Sequence, residues 1–157
     1  MTMGYFRISA LWALVLLFPA PAFAETTWDV LQRFGWTGTW AASCKDAPSA
    51  KNVWTILSRD PDGVVKRKLD RGPDGPPLMS VVDSAQVVTP STMQVRLRND
   101  DLNWGAMNGV FFDVVQTIEN DALRALQSKG SDGKEYIKDG MVIATGRPSP
   151  SLHRCPQ

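Results

Sequence analysis

Histidine is almost missing from this chain of 157 residues: His153 stands alone, near the C-terminal end. A Ser-His-Asp or Cys-His arrangement would have to be built on that single residue. A zinc site needs three or four His, Cys or carboxylate ligands at clustered spacing, and the sequence offers no such cluster. Cysteine is limited to Cys44 and Cys155. An excess of one charge is lacking too. With 17 Lys and Arg against 16 Asp and Glu, the formal net charge is +1, which gives no general pull toward nucleic acid or an acidic membrane. Internal repeats, low-complexity tracts and long helical patterns are absent as well. No catalytic residues, metal ligands or cofactor can be named, and the expectation is a protein that is not an enzyme.

What is present begins with an export signature. Arg7 precedes an apolar run from Ile8 to Phe18, and Pro19-Ala20-Pro21-Ala22-Phe23-Ala24 ends in an A-x-A site that a signal peptidase can cut before Glu25. The run is short for ~30 Å of hydrocarbon, so residues 1–24 read as a cleaved signal peptide that leaves no stable membrane anchor. Residues 25–157 then form a single β domain, periplasmic or secreted. In that compartment two cysteines are expected to pair, and a Cys44–Cys155 bridge closing most of the domain contributes about 4 to 5 kcal/mol on the chain-entropy model.

The domain opens with Trp28, Val30, Leu31 and Phe34 at helical spacing, behind the capping threonines Thr26 and Thr27 and ahead of Gly35. A strand follows over 36–44. Its two-residue period sets Trp36, Gly38, Trp40, Ala42 and Cys44 on one face, taken as the buried one. Asp-Gly dipeptides at Asp62-Gly63, Asp74-Gly75, Asp132-Gly133 and Asp139-Gly140 mark turns. Between the turns lie strand-like runs at 52–59, 64–71, 78–88, 92–99, 110–119, 123–129, 134–138 and 141–145. The tail from Arg147 to Cys155 carries too much proline for a central strand and is expected to be pinned to the first strand by the disulfide. An antiparallel meander folded into a sandwich or a closed barrel accounts for this pattern.

A short helical turn followed by Gly38-Thr39-Trp40 at the opening of the first strand resembles the G-x-W signature of the lipocalins and their relatives, the avidins and the small bacterial metalloprotease inhibitors. The resemblance implies an eight-stranded antiparallel barrel in which an arginine from the end of the chain packs over the signature tryptophan. Arg154 or Arg147 would take that place against Trp40. The threonine-aspartate-tyrosine motif of typical lipocalins is not present. The expected fold is all-β: an up-and-down, lipocalin-like barrel or a sandwich of about eight strands, with a short N-terminal helix.

Two stretches invite a functional reading. Lys66-Arg67-Lys68, with Arg59 and Arg71, gathers positive charge in one hairpin, Lys66 and Lys68 sharing a face with Val64 and Asp70, and Arg67 sharing the other with Val65 and Leu69. It reads as a solvated edge or outer face that blocks aggregation, with an anionic-partner site as the alternative. The link from Asp100 to Gly109 carries Leu102, Trp104 and Met107, which either fold back on the core, close a barrel mouth or meet a partner protein. Trp40, Trp54, Trp104 and Phe112 are the aromatic residues expected to line a small-ligand site. The leading expectation is a non-enzymatic binder of a small apolar or amphipathic molecule. The alternatives are a structural envelope protein or a protein-binding module, such as an inhibitor of an exported protease, acting through 25–36 or the Leu102–Met107 link. Asp60 with Asp62 and Asp100 with Asp101 read as turn and cap residues.

Overall fold

The computed structural model of the protein describes residues 25–156. The signal peptide expected over 1–24 lies outside the described residues. Helix α1, Thr27–Phe34, forms where the capping threonines predict it. The Thr26 hydroxyl accepts from the Asp29 amide and the Asp29 carboxylate accepts from the Thr26 amide, so two orphan donors of the first turn are satisfied at once. Gly35, at φ 89°, ends the helix. Its amide donates to the Gln32 carbonyl and the Trp36 amide to the Leu31 carbonyl, the double closure that needs a left-handed residue at this point. That reversal carries Trp36 inward, where it is 2 % exposed.

Seven strands follow as a meander: β1 (Gly38–Ala41), β2 (Trp54–Arg59), β3 (Val65–Asp70), β4 (Leu78–Thr89), β5 (Thr92–Asn99), β6 (Phe111–Glu119) and β7 (Ala122–Gly130). Then β8 (Glu135–Lys138), β9 (Met141–Val142) and β10 (Arg147–Pro148) make a small side sheet on the far half of β7. Finally β11 (Ser151–Arg154) inserts between β7 and β1. With β6 paired to β7, the ring β1 to β7 plus β11 is a closed antiparallel barrel of eight strands, not a sandwich. Closure removes the exposed edges that an open sheet of this size would have to protect.

The insertion of β11 corrects the expectation that the tail is unfit for a central strand. Its prolines, Pro148, Pro150 and Pro156, all lie outside the four residues that pair, so no ladder donor is lost where neighbours flank it on both sides. The first strand is also shorter than the nine residues expected. It stops at Ala41, which is fully buried while Ala42 is exposed, because the chain bends from Ala42 onward and the two-residue alternation no longer applies. The bends bring Cys44 to Cys155, and the two form the disulfide, with Cα atoms 5.2 Å apart.

One half of the barrel is packed solid. α1 lays Val30 and Leu31 against β4, and these join Trp40, Leu57, Val65, Val82, Met93 and Val95 in one buried cluster. Each such large side chain taken out of water contributes about 1.5 to 3 kcal/mol. Tight hairpins close this end. At Asn120-Asp121 both residues take positive φ, 51° and 59°, a geometry that Asn and Asp tolerate better than other side chains.

Candidate functional site

Inner-face side chains do not fill the other half. A cavity of about 380 Å³ remains inside the barrel, walled by apolar side chains from five strands, among them Leu69, Leu97, Val114, Leu123 and Leu152. Polar groups are few on this wall, and they are unusual. The register pairs Arg67 with Leu57 on one side and Ser80 on the other. Val65 and Leu69 alternate inward with Arg67, so its side chain enters the barrel while Lys66 and Lys68 stay outside.

Outside, Lys66 pairs with Asp60 at 2.6 Å and Lys68 with Asp70 at 2.8 Å. Lys66 and Lys68 thus lie on an outer face, one of the two settings expected for the run. β3 is flanked by β2 and β4 and has no free edge, which corrects the other.

Arg67 has no carboxylate partner among the described residues. Its Nη2 donates to the Ser80 hydroxyl at 3.2 Å. That hydroxyl is already engaged, donating to Asn99 Oδ1 at 3.1 Å, and Asn99 Nδ2 donates in turn to the Met107 carbonyl at 3.0 Å. The Arg67 Nε has no partner and no contact with solvent, although the residue as a whole is only partly covered. Desolvation alone pulls the guanidinium pKa down to about 10. It stays charged at neutral pH.

Two more donors on the same wall are buried and unpartnered, Trp36 Nε1 and Gln116 Nε2. Buried polar groups in folded proteins are nearly always satisfied; among the described residues Trp54 Nε1 and Arg71 Nε, away from this cavity, are likewise without a partner, so these orphans are not confined to it. Among the described residues no Asp or Glu lines the cavity. The interior thus offers one positive charge with no acid to balance it, set in a mainly apolar wall.

The residues expected to line a ligand site are not brought together, and none of the four is on this wall. Trp40 faces inward but is packed in the solid half, 2 % exposed. Arg154 lies over its ring, with the guanidinium carbon 5.2 Å from the centroid, and donates to the Gly35 carbonyl. Of the two arginines that the resemblance offered, it is Arg154 that covers Trp40. Trp54 pairs with Asp70 across the sheet and alternates with the inward Thr55, which sets it on the outer face. Phe112 faces inward and packs edge-on against Tyr136, centroids 5.3 Å apart.

Trp104 sits in the short helical link, Leu102–Met107, and its indole donates to the Met79 carbonyl at 2.6 Å. Met107 is half-buried, its sulfur packed 3.8 Å from the Tyr136 hydroxyl. The link is folded back on the barrel rim by these contacts, and Leu102 is its one large apolar side chain that projects, 85 % exposed. The acidic pairs serve as the sequence suggests. Asp101 caps the link by accepting from the Asn103 amide, and Asp62 accepts from the Val64 amide.

Gln116 was not marked from the sequence, Trp36 entered only as the end of the 25–36 segment, and Arg67 only as part of a charged run with an anionic-partner alternative. The alternation of β3 did place Arg67 with Val65 and Leu69, and that was the signal available. Outside the barrel, a larger depression of about 920 Å³ runs along Gly35 to Trp40 and the end of β11, and it contains His153. Its principal charged donor, Arg154, is already held by Gly35 and Trp40. Comparison with protein-family models, with curated proteins and with solved structures found no match to this chain.

Proposed function

We propose that the chain is an exported, non-enzymatic carrier that encloses one small apolar or amphipathic molecule in a lipocalin-like barrel. The observation that carries this reading is the cavity of about 380 Å³ inside a closed barrel that its own side chains do not fill. Sites of this kind are concave, mainly apolar and furnished with a small number of converging polar groups. The Arg154 to Trp40 contact beside Gly38-Thr39-Trp40 supports the lipocalin-like part of the reading, and the Cys44–Cys155 bridge supports export. Among the described residues no helix is long and apolar enough to cross a membrane.

A docking role for α1 has less behind it, since Val30 and Leu31 are turned into the barrel and only the polar side of the helix faces out. Native mass spectrometry of the protein taken from its own envelope tests the carrier reading. The expected result is a stoichiometric small-molecule adduct that disappears on unfolding. A chain that comes bare and takes up no apolar molecule from an added panel overturns it.

A further inference from the structure

The one charged side chain on the cavity wall says more about its occupant than the cavity's size does. A guanidinium is a planar fork of donors that matches the two oxygens of a carboxylate. Inside proteins such a charge is normally found with its counter-ion. Here the counter-ion is not among the described residues. Arg67 appears in no ion pair, its one hydrogen bond goes to a hydroxyl that is itself engaged, and no acidic side chain lines the wall.

Trp36 and Gln116 also line the wall, but their unpartnered nitrogens are sealed from the cavity as they are from solvent and reach no occupant. The charge on this wall is that of the Arg67 guanidinium alone, and the matching ligand group is an anion that accepts its hydrogen bonds.

Charge fixes the class further. A monoanion brings the cavity to neutrality, whereas a phosphate dianion leaves one buried charge uncompensated. Volume fixes the length. At about 30 Å³ for a water-sized group, 380 Å³ accommodates a ligand of about a dozen non-hydrogen atoms. Leu69, Leu97, Val114, Leu123 and Leu152 offer nothing to a polar body and suit an alkyl one.

We propose that the cavity binds a medium-chain monocarboxylate, its head group held by the Arg67 guanidinium and its alkyl chain against the leucine wall. This inference rests on the carrier reading and adds to it the chemical class of the cargo and the residue that selects it. Arg67 is the specificity-determining residue, and the acyl body supplies affinity without selectivity.

Decanoate and its neutral counterpart 1-decanol are the probes, titrated into the disulfide-intact protein after bound molecules have been stripped by unfolding and refolding. Calorimetry on the unaltered protein is expected to show decanoate binding one to one and at least about tenfold more tightly than decanol, the range of a charge-assisted hydrogen bond. In Arg67→Met the preference for decanoate should vanish while decanol binding persists. Should that variant not fold, the two-ligand comparison on the unaltered protein still decides the matter, since it needs no variant. Equal binding of the two probes, or decanoate binding that Arg67→Met leaves unchanged, overturns the monocarboxylate inference and leaves the carrier reading standing. Failure of both probes and of the wider apolar panel overturns the two together.

Discussion

Replacing Arg67 by methionine should leave the ligand-free protein at least as stable. Burial carries the guanidinium from its ordinary, strongly basic range down to about 10, and at 1.36 kcal/mol per pH unit this costs the charged form about 3 kcal/mol. Methionine removes that cost and keeps the length and much of the volume of the side chain. It also gives up the 3.2 Å hydrogen bond to Ser80, worth about 1.5 to 3 kcal/mol when the donor is charged. The balance runs from about zero to about 1.5 kcal/mol in favour of Arg67→Met, or a melting point up to several degrees higher for a domain of this size.

The pH dependence carries its own signature. Below about pH 10 both the folded and the unfolded arginine hold the proton, so the gap between the variant and the unaltered protein is constant. Between about pH 10 and the ordinary arginine value the unfolded chain binds a proton that the folded chain has released. Stability of the unaltered protein then rises with pH relative to the variant, and the gap closes. Urea unfolding of both proteins from pH 7 to 11.5, with the disulfide intact and bound molecules stripped, reads the difference directly; all other titrating groups are common to both. If Arg67→Met is destabilised by more than about 1 kcal/mol at pH 7, the guanidinium is compensated by interactions beyond the Ser80 contact and the reasoning fails.

Reducing Cys44–Cys155, which are 111 residues apart in sequence, should lower stability by about 5 kcal/mol on the chain-entropy model, and an unchanged unfolding midpoint in excess dithiothreitol would contradict it. Thr26→Ala removes the hydroxyl that accepts the Asp29 amide, so denaturant unfolding should report a loss of about 1 kcal/mol. Leu31→Ala, at a position with no solvent exposure under the barrel, should cost about 2 to 5 kcal/mol by the same assay. Tyr136, the only tyrosine after residue 24, has its pKa raised by the hydrogen bond its hydroxyl donates to Asp132 and by burial. Its phenolate absorbance should therefore develop above the usual pH, and Asp132→Asn should return it toward the ordinary value.

The sequence rules that succeeded are local ones. Thr26, Asp29 and Gly35 specify α1 through contacts within one helical turn, and the Asp-Gly turns and the strand run at 92–99 are read over a few residues. What stayed hidden depends on neighbours that are distant in sequence. β11 is four residues between prolines, and it is a central strand only because β1 and β7 both present it an edge. Trp54 and Trp40 are equally aromatic on paper. The register that sets Thr55 opposite Trp40 puts Trp40 inside and Trp54 outside, and one strand alone cannot reveal it. Arg67 shows the limit most sharply. The alternation assigned it correctly to the face of Val65 and Leu69, yet amid so many charges the residue type argued for solvent, and the pattern was given less weight than the composition.

That conflict between pattern and residue type is itself informative. A barrel whose aim was stability alone would carry leucine or methionine at position 67, where the register leaves an inward slot between Leu57 and Ser80. The chain places there a group that costs folding energy and carries the rest of the load elsewhere: α1 and the solid half of the core at one end, β11 in the last gap of the ring and a disulfide beside it. A locally unfavourable residue inside an otherwise consistent fold is where a function is to be sought. The cost is also reversible, because an anion seated against Arg67 restores what desolvation removed. Ligand binding should thus stabilise the unaltered protein more than it stabilises Arg67→Met, and the difference between the two is the free energy that the guanidinium withholds from folding and returns to recognition.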